Sequence, residues 1–209
     1  MERTPTAASM RLDGGHPALD LVNTVYGQVG GPVEADVLAE PEDLVTFARR
    51  VDMADRTTPA SVRALRRAHT LRAALDGLLR VQIAGRRPPE GLRAAMESAV
   101  RDALRAGQLS PHGDALAWTW PADNAETPVH RLTMAAADLL TSEEELTLLR
   151  QCAGCCWLFL DRSRGAGRRW CSMADCGTEA KKRRYVERRR ERRASTSAPS
   201  RSTRRTHGV

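Results

Sequence analysis

Cys152-Ala153-Gly154-Cys155-Cys156-Trp157-Leu158-Phe159-Leu160-Asp161 and, a few residues on, Arg168-Arg169-Trp170-Cys171-Ser172-Met173-Ala174-Asp175-Cys176-Gly177 hold all five cysteines of the 209-residue chain. One pair has two intervening residues and the other four, with fifteen residues between Cys155 and Cys171. That spacing folds four thiolates around a single Zn²⁺, with Cys152, Cys155, Cys171 and Cys176 as ligands. Cys156 is left over, because the neighbour of a ligand on a tight turn points away from it and tetrahedral zinc has no fifth place. Four thiolates also leave no open position for water, so such a site is structural and not catalytic. A module this short buries little core of its own, and metal binding must supply its folding energy, on the order of 10–16 kcal/mol in zinc-finger peptides.

Two other uses of these cysteines compete. Disulfides need an oxidising compartment, whereas no N-terminal stretch has the apolar core of a signal peptide and the cysteine count is odd. A thiol redox sensor is the stronger rival, with arginines flanking the cluster and Cys156 as a resolving thiol, and it is compatible with zinc.

The same segment resembles the CGNR-type zinc finger that ends bacterial proteins with an N-terminal ABATE domain, a family described as stress-induced transcription regulators. The resemblance is carried by Cys152 and Cys155, the run Trp157–Asp161, Arg162-Ser163-Arg164, the run Arg168–Met173, Cys176-Gly177 and the basic stretch Ala180–Tyr185. It extends to the other end of the chain, where Gly15 precedes Leu19-Asp20-Leu21-Val22-Asn23-Thr24. The chain departs from the family in one place: where the naming motif reads Cys-Gly-Asn-Arg, it has Cys176-Gly177-Thr178-Glu179. The cysteine and turn glycine persist, but a glutamate there weakens any phosphate contact the family's arginine would make. The resemblance alone implies regulation of stress genes.

Charge divides the chain in the same place. Residues 1–149 carry 16 Lys+Arg against 21 Asp+Glu, and residues 150–209 carry 17 against 5, within an overall balance of +7. A basic segment beside a metal module is the electrostatic footprint of nucleic-acid binding. Arg168, Arg169, Lys181, Lys182, Arg183, Arg184 and Arg188 are the expected phosphate or base contacts. No run of apolar residues is long enough to span a membrane, and the basic segment has almost no apolar face to insert, so the expected location is cytoplasmic.

Read in order, residues 1–10 predict a frayed terminus, and residues 11–149 a mostly helical domain with a small β element, complete without the finger. Within it the Gly14-Gly15 turn leads to a short apolar run in which Asp20 and Asn23 have local capping roles. Residues 27–37, with Gly27, Gly30, Gly31 and Pro32, predict loop. Pro41 opens a helix whose stripe is Leu44, Phe47, Ala48 and Val51. Thr58-Pro59 reads as the cap of a longer helix ending at Gly85, with Arg63, Arg66, Arg67, Arg72 and Arg80 on its solvated side. A further helix runs from Pro88-Pro89 to Gly107 through Leu92, Met96 and Ala103. Alternation of Leu116, Trp118 and Trp120 predicts a half-buried strand, its tryptophans filling core. Thr127-Pro128 starts another helix, and Ser142 with Glu145 forms a capping box that delivers the chain to Cys152. Residues 150–193 are then the finger and a basic helix, with Trp157, Phe159 and Trp170 around the cluster, and 194–209 a disordered tail rich in Ser, Thr and Arg.

These features predict a mostly α protein in which an N-terminal sensing or dimerising domain, with a small-molecule effector or a second copy as its partner, carries a C-terminal DNA reader. An RNA- or ribosome-associated zinc protein is the alternative that composition leaves open. So is an enzyme with a pocket in residues 11–149, although no Gly-rich phosphate loop, nucleophile elbow or paired-histidine metal motif is present and His16, His69, His112 and His130 are scattered.

Overall fold

Three helices spanning Val62–Ile83, Glu90–Ala106 and Thr127–Thr141 pack against one another and form the framework. The computed structural model describes residues 5–165 and 167–196. In chain order these form α1 (Pro17–Val22), β1 (Val25–Gly27), β2 (Val33–Asp36), α2 (Pro41–Arg50), α3 (Val62–Ile83), α4 (Glu90–Ala106), β3 (Gln108–His112), β4 (Ala115–Thr119), α5 (Thr127–Thr141), α6 (Glu143–Leu148), β5 (Leu149–Gln151), β6 (Leu158–Leu160), a single π-helical turn (Met173–Gly177) and α7 (Thr178–Thr196). The strands pair only as antiparallel twos, β1 with β2, β3 with β4 and β5 with β6. The architecture is mostly α, as expected.

Each helix obeys a local rule and then buries the stripe its spacing defines. α2 has proline in its first turn, and the Asp43 carboxylate accepts from the Glu40 amide at 2.9 Å. Its Leu44, Phe47 and Ala48 are buried, and Leu44 and Phe47 join Leu65, Leu75 and Leu79 of α3 and Leu132 and Leu139 of α5 in one core. Fully burying an aliphatic or aromatic side chain of this size contributes roughly 1.5–3 kcal/mol. α4 lies close against α3 because Gly77 has no side chain: a Cβ there would stand 2.8 Å from Leu92 Cδ1.

Several expectations are corrected. The long helix α3 is capped by Ser61, whose Oγ accepts from the Ala64 amide at 3.4 Å, and not by Thr58. Thr58 is buried, and its hydroxyl instead donates to the Ala122 carbonyl at 2.7 Å, a distant partner that local sequence cannot reveal. Residues 27–37 are not simply loop, since Tyr26 pairs with Ala35 and Val25 with Asp36. Residues 5–10 are not frayed: Ala7 and Met10 enter the core, and the Arg50 guanidinium ties down both of their carbonyls at 2.8 and 2.7 Å. Residues 1–4 lie outside the described residues.

The expected tryptophan strand exists as β4, but it belongs to a projecting ribbon with β3. Trp120, just beyond it, is buried with Nε1 donating to the Ala103 carbonyl, whereas Leu116 and Trp118 are exposed. On α3 the arginines are less solvated than their spacing implies. Arg72 reaches Asp36 at 2.8 Å and the Thr24 hydroxyl at 2.7 Å, and Arg67 bridges Asp102 and Glu126.

α6 runs directly into β5, and this continuity positions the finger. β5 and β6 pair in the register Leu149 to Leu160, Arg150 to Phe159 and Gln151 to Leu158. Leu149, Leu158 and Leu160 face back into the main core, while Phe159 faces the cysteines. The core therefore includes two leucines from beyond the expected boundary at residue 149.

Candidate metal centre

The β5–β6 hairpin makes one half of the centre. At its tip the Cys152 amide donates to the Trp157 carbonyl at 2.9 Å, which closes residues 152–157 into a tight knuckle. Gly154 is closely enclosed, since a Cβ there would lie 3.1 Å from Cys176 Cβ and 3.5 Å from its Sγ. The other half is the π-helical turn. Ser172 caps it, accepting from the Asp175 amide at 3.3 Å, and the Gly177 amide donates to the Ser172 carbonyl at 3.0 Å. Cys171 precedes this turn and Cys176 sits within it.

The Sγ atoms of Cys152, Cys155, Cys171 and Cys176 all lie within 4.8 Å of one another. Cys171 is 3.7 Å from both Cys155 and Cys176, sulfur to sulfur. Tetrahedral zinc with Zn–S bonds of about 2.3 Å requires sulfur separations of about 3.8 Å, so the donor set fits one structural Zn²⁺. The amides of Gly154 and Cys171 donate to Cys152 Sγ at 3.3 and 3.4 Å, the outer-shell support that thiolate ligands use. Crowding sets the four thiols against one another. Hydrogen bonds from Cys155 and Cys171 hold the Cys152 pKa far below the ordinary thiol range, and hydrogen bonds with Cys152 and Cys155 push Cys171 far above it. A divalent cation at their centre removes that conflict by stabilising every thiolate.

Cys156 stands apart, as its position beside a ligand predicts. Its Sγ donates to the Val25 carbonyl at 3.4 Å, and burial raises its pKa. Trp157, Phe159, Cys152 and Cys171 make a second small core with Trp170 at its edge. Tyr26 of the N-terminal part joins them, its ring edge-on to Trp157 at 4.9 Å, and burial pushes its pKa up to about 12 so that it stays a neutral phenol.

A set of long-range polar contacts that the sequence does not announce welds this centre to the helical core. Asn23 Nδ2 donates to the Leu158 carbonyl at 2.8 Å and the Leu158 amide donates to Asn23 Oδ1 at 2.9 Å. The Trp157 indole donates to the Val25 carbonyl at 3.0 Å, the Cys156 amide to the Gly27 carbonyl at 3.0 Å, and Arg80 to the Cys156 carbonyl at 2.8 Å. Asn23 was expected to cap locally; Asp20 does so, accepting from the Gly14 amide at 2.9 Å, but Asn23 serves the finger. Its sequence signals are an asparagine directly after a short apolar run and its place in the family-like stretch Leu19–Thr24.

The basic residues fall into two groups. Arg168 lies over the Phe159 ring at 4.2 Å, with Nη2 donating to the Leu160 carbonyl at 3.4 Å, so it supports the finger's core. Its amide donates to Asp161 Oδ2, and Ser163 donates to Asp161 Oδ1 through both amide and hydroxyl; led by the hydroxyl bond, these hold the Asp161 pKa below the usual carboxylate range. Arg162 pairs with Glu145 at 2.8 Å. Arg169 is exposed beside the Trp170 ring at 5.2 Å. Lys181, Lys182, Arg183, Arg184 and Arg188 are all exposed on α7, with Lys182 bonded to Glu179 at 3.0 Å and Arg184 5.9 Å from the Trp170 ring. The helix runs to Thr196, three residues past its expected end at Arg193; residues 197–209 lie outside the described residues. No helix among the described residues is long and apolar enough to cross a membrane.

Comparison with known proteins agrees with this anatomy. No curated protein matches the chain. A family model described as "putative stress-induced transcription regulator", ABATE, matches residues 15–143, and the CGNR zinc finger matches residues 149–189. The chain accordingly belongs to the ABATE family and carries a CGNR zinc finger at its C-terminal side.

Proposed function

We propose that the protein is a cytoplasmic DNA-binding transcription regulator, in which zinc fixes the attitude of a basic helix presented to the phosphate backbone. The observation that carries this reading is α7. Between Thr178 and Thr196 it holds nine Lys and Arg against three Glu, and from Lys181 through Arg192 every residue is exposed. A helix polar all round buries nothing that stabilises it, and like charges three and four residues apart repel. Polyanion binding removes that repulsion and releases counterions from the nucleic acid.

The finger sets where this helix starts. Cys176 lies in the turn that leads directly into Thr178, so a zinc-bound Cys176 fixes the first turn of α7 relative to the hairpin. Arg169, Lys181, Lys182, Arg183, Arg184 and Arg188 are the proposed contacts. Most of them position the protein on phosphates, and one or two arginines read base edges, with bidentate contact to guanine the favoured specific one. Arg168 acts through the finger's core. Glu179, paired with Lys182, lowers the positive potential at the start of the helix.

Sequencing of nucleic acid co-purified with the protein tests the reading. Enrichment of a promoter class supports a regulator of transcription, and ribosomal RNA in its place supports the RNA alternative.

A further inference from the structure

A cleft of about 880 Å³ opens between the N-terminal part and the finger, and the DNA-binding reading makes no use of it. One wall is built by Arg11, Asp13, Tyr26 and Glu34, and the other by the zinc knuckle, Trp157 and Asp175. The volume suits the enclosure of a small organic molecule.

The walls have a one-sided chemistry. Three carboxylates face one guanidinium, and Arg11 is already engaged, with Nε on Asp13 and Nη1 on Asp175, both at 2.7 Å. Glu34 is exposed, and its carboxylate has no ion pair or hydrogen bond among the described residues. Four thiolates around one Zn²⁺ carry a net charge of about −2, which makes the finger wall electronegative as well. Half-buried Tyr26 supplies aromatic surface beside this charge, with the buried Trp157 ring packed behind it, the combination that attracts a cation with an apolar body.

The cleft also lies across the joint between the two parts. Arg11 and Asp175, on opposite walls, are 164 residues apart in sequence. Asp175 belongs to the turn that contains Cys176 and leads into α7. An occupant touching both walls favours one attitude of the finger over others, and that attitude in turn favours the occupant. It also covers Cys155, Cys171 and Cys176, which line the cleft.

We propose that this cleft binds a small organic cation, an amine or guanidine with an aromatic or aliphatic body, and that its occupancy is coupled to the position of the finger. Calorimetric titration of the zinc-loaded full chain, without nucleic acid, tests this with 2-phenylethylamine, 2-phenylethanol and phenylacetate. The amine should bind saturably at one per chain, with the alcohol and the carboxylate at least about tenfold weaker, since a charge-assisted contact is roughly twice as strong as a neutral one. Glu34→Gln, at an exposed position, should weaken the amine about tenfold with zinc content and circular dichroism unchanged. Saturating amine should also slow zinc release to a chelator. Absence of saturable amine binding, equal binding of the carboxylate, or wild-type affinity in Glu34→Gln overturns the proposed site; amine binding without an effect on zinc release overturns the coupling. With no nucleic acid present, none of these outcomes depends on the DNA-binding reading.

Discussion

Asn23 grips Leu158 at both of its backbone polar groups, donating to the carbonyl at 2.8 Å and accepting from the amide at 2.9 Å. Asn23 and Leu158 are fully buried. A side-chain amide thus takes the place of a neighbouring strand along an edge of the β5–β6 hairpin. Through this contact the helix α1 holds the zinc knuckle in place, and the helical core and finger become one packed unit at this point.

Asn23→Ala leaves a buried amide and a buried carbonyl without partners, each costing about 1–3 kcal/mol. The variant should lose about 2–4 kcal/mol in urea denaturation of the zinc-loaded chain. A loss below about 0.5 kcal/mol, the scale of an inert surface change, would show that the pairing contributes nothing.

Much of this protein is legible in its sequence, and the remainder fails for identifiable reasons. The stripes Leu44–Phe47–Ala48 and Leu71–Leu75–Leu78 announce buried helix faces because their period is local. The four metal-site cysteines are legible because zinc geometry restricts their spacing. The pairs β1–β2 and β5–β6 have strands of only three or four residues, too short for alternation to register. Asn23, Thr58 and Arg80 find partners 135, 64 and 76 residues away, and nothing adjacent to them in the chain encodes those partners. Alternation with Trp120 predicts a core position for Trp118, but the β3–β4 ribbon leaves it exposed.

Because Leu158 and Leu160 belong to the helical core, a chain ending at Leu149 should be much less stable than one ending after Asp161. Removing them leaves the packing of two buried leucines unfilled, with truncation of even one such side chain costing about 2–5 kcal/mol. Thermal melts followed by helical circular dichroism compare the two; equal midpoints would show that the N-terminal part completes its core alone.

The zinc assignment separates the five cysteines. Cys156→Ser should retain one zinc per chain, since its sulfur faces Val25 and not the cluster. Cys171→Ser should lose the metal, and Gly154→Ala should bind it more weakly because the new methyl presses on Cys176. Metal analysis of the purified variants checks all three, and equal zinc loss from Cys156→Ser would contradict the ligand set.

Asp20 gives a pH signature. Its burial raises its pKa from 3.8 to about 6, against the opposing hydrogen bond from the Gly14 amide and in the field of Asp13 and Arg50. A raised carboxyl pKa means that the folded state prefers the protonated form. The associated stability is fully present below the unfolded value and is lost as pH rises through about 6, by about 3 kcal/mol for a shift of two units. Asp20→Asn should therefore gain stability over wild type between pH 4 and 7. Acid also strips thiolate-bound zinc from both proteins, so the readout is the difference between their denaturation curves; a difference independent of pH contradicts the assignment.

If zinc-oriented α7 binds DNA phosphates as proposed, duplex affinity falls steeply with salt. Six contacts from Arg169, Lys181, Lys182, Arg183, Arg184 and Arg188 predict a slope of log affinity against log salt near −5, at about −0.9 per phosphate neutralised. A chain ending at Gly177, verified to hold zinc, retains only Arg169 of these and should show a slope near −1 with much weaker binding. Full-length protein titrated against fluorescent duplex should give the steep slope, and the shortened chain the shallow one. The same affinity and slope in both, or no duplex binding by the full-length chain, would contradict the claim.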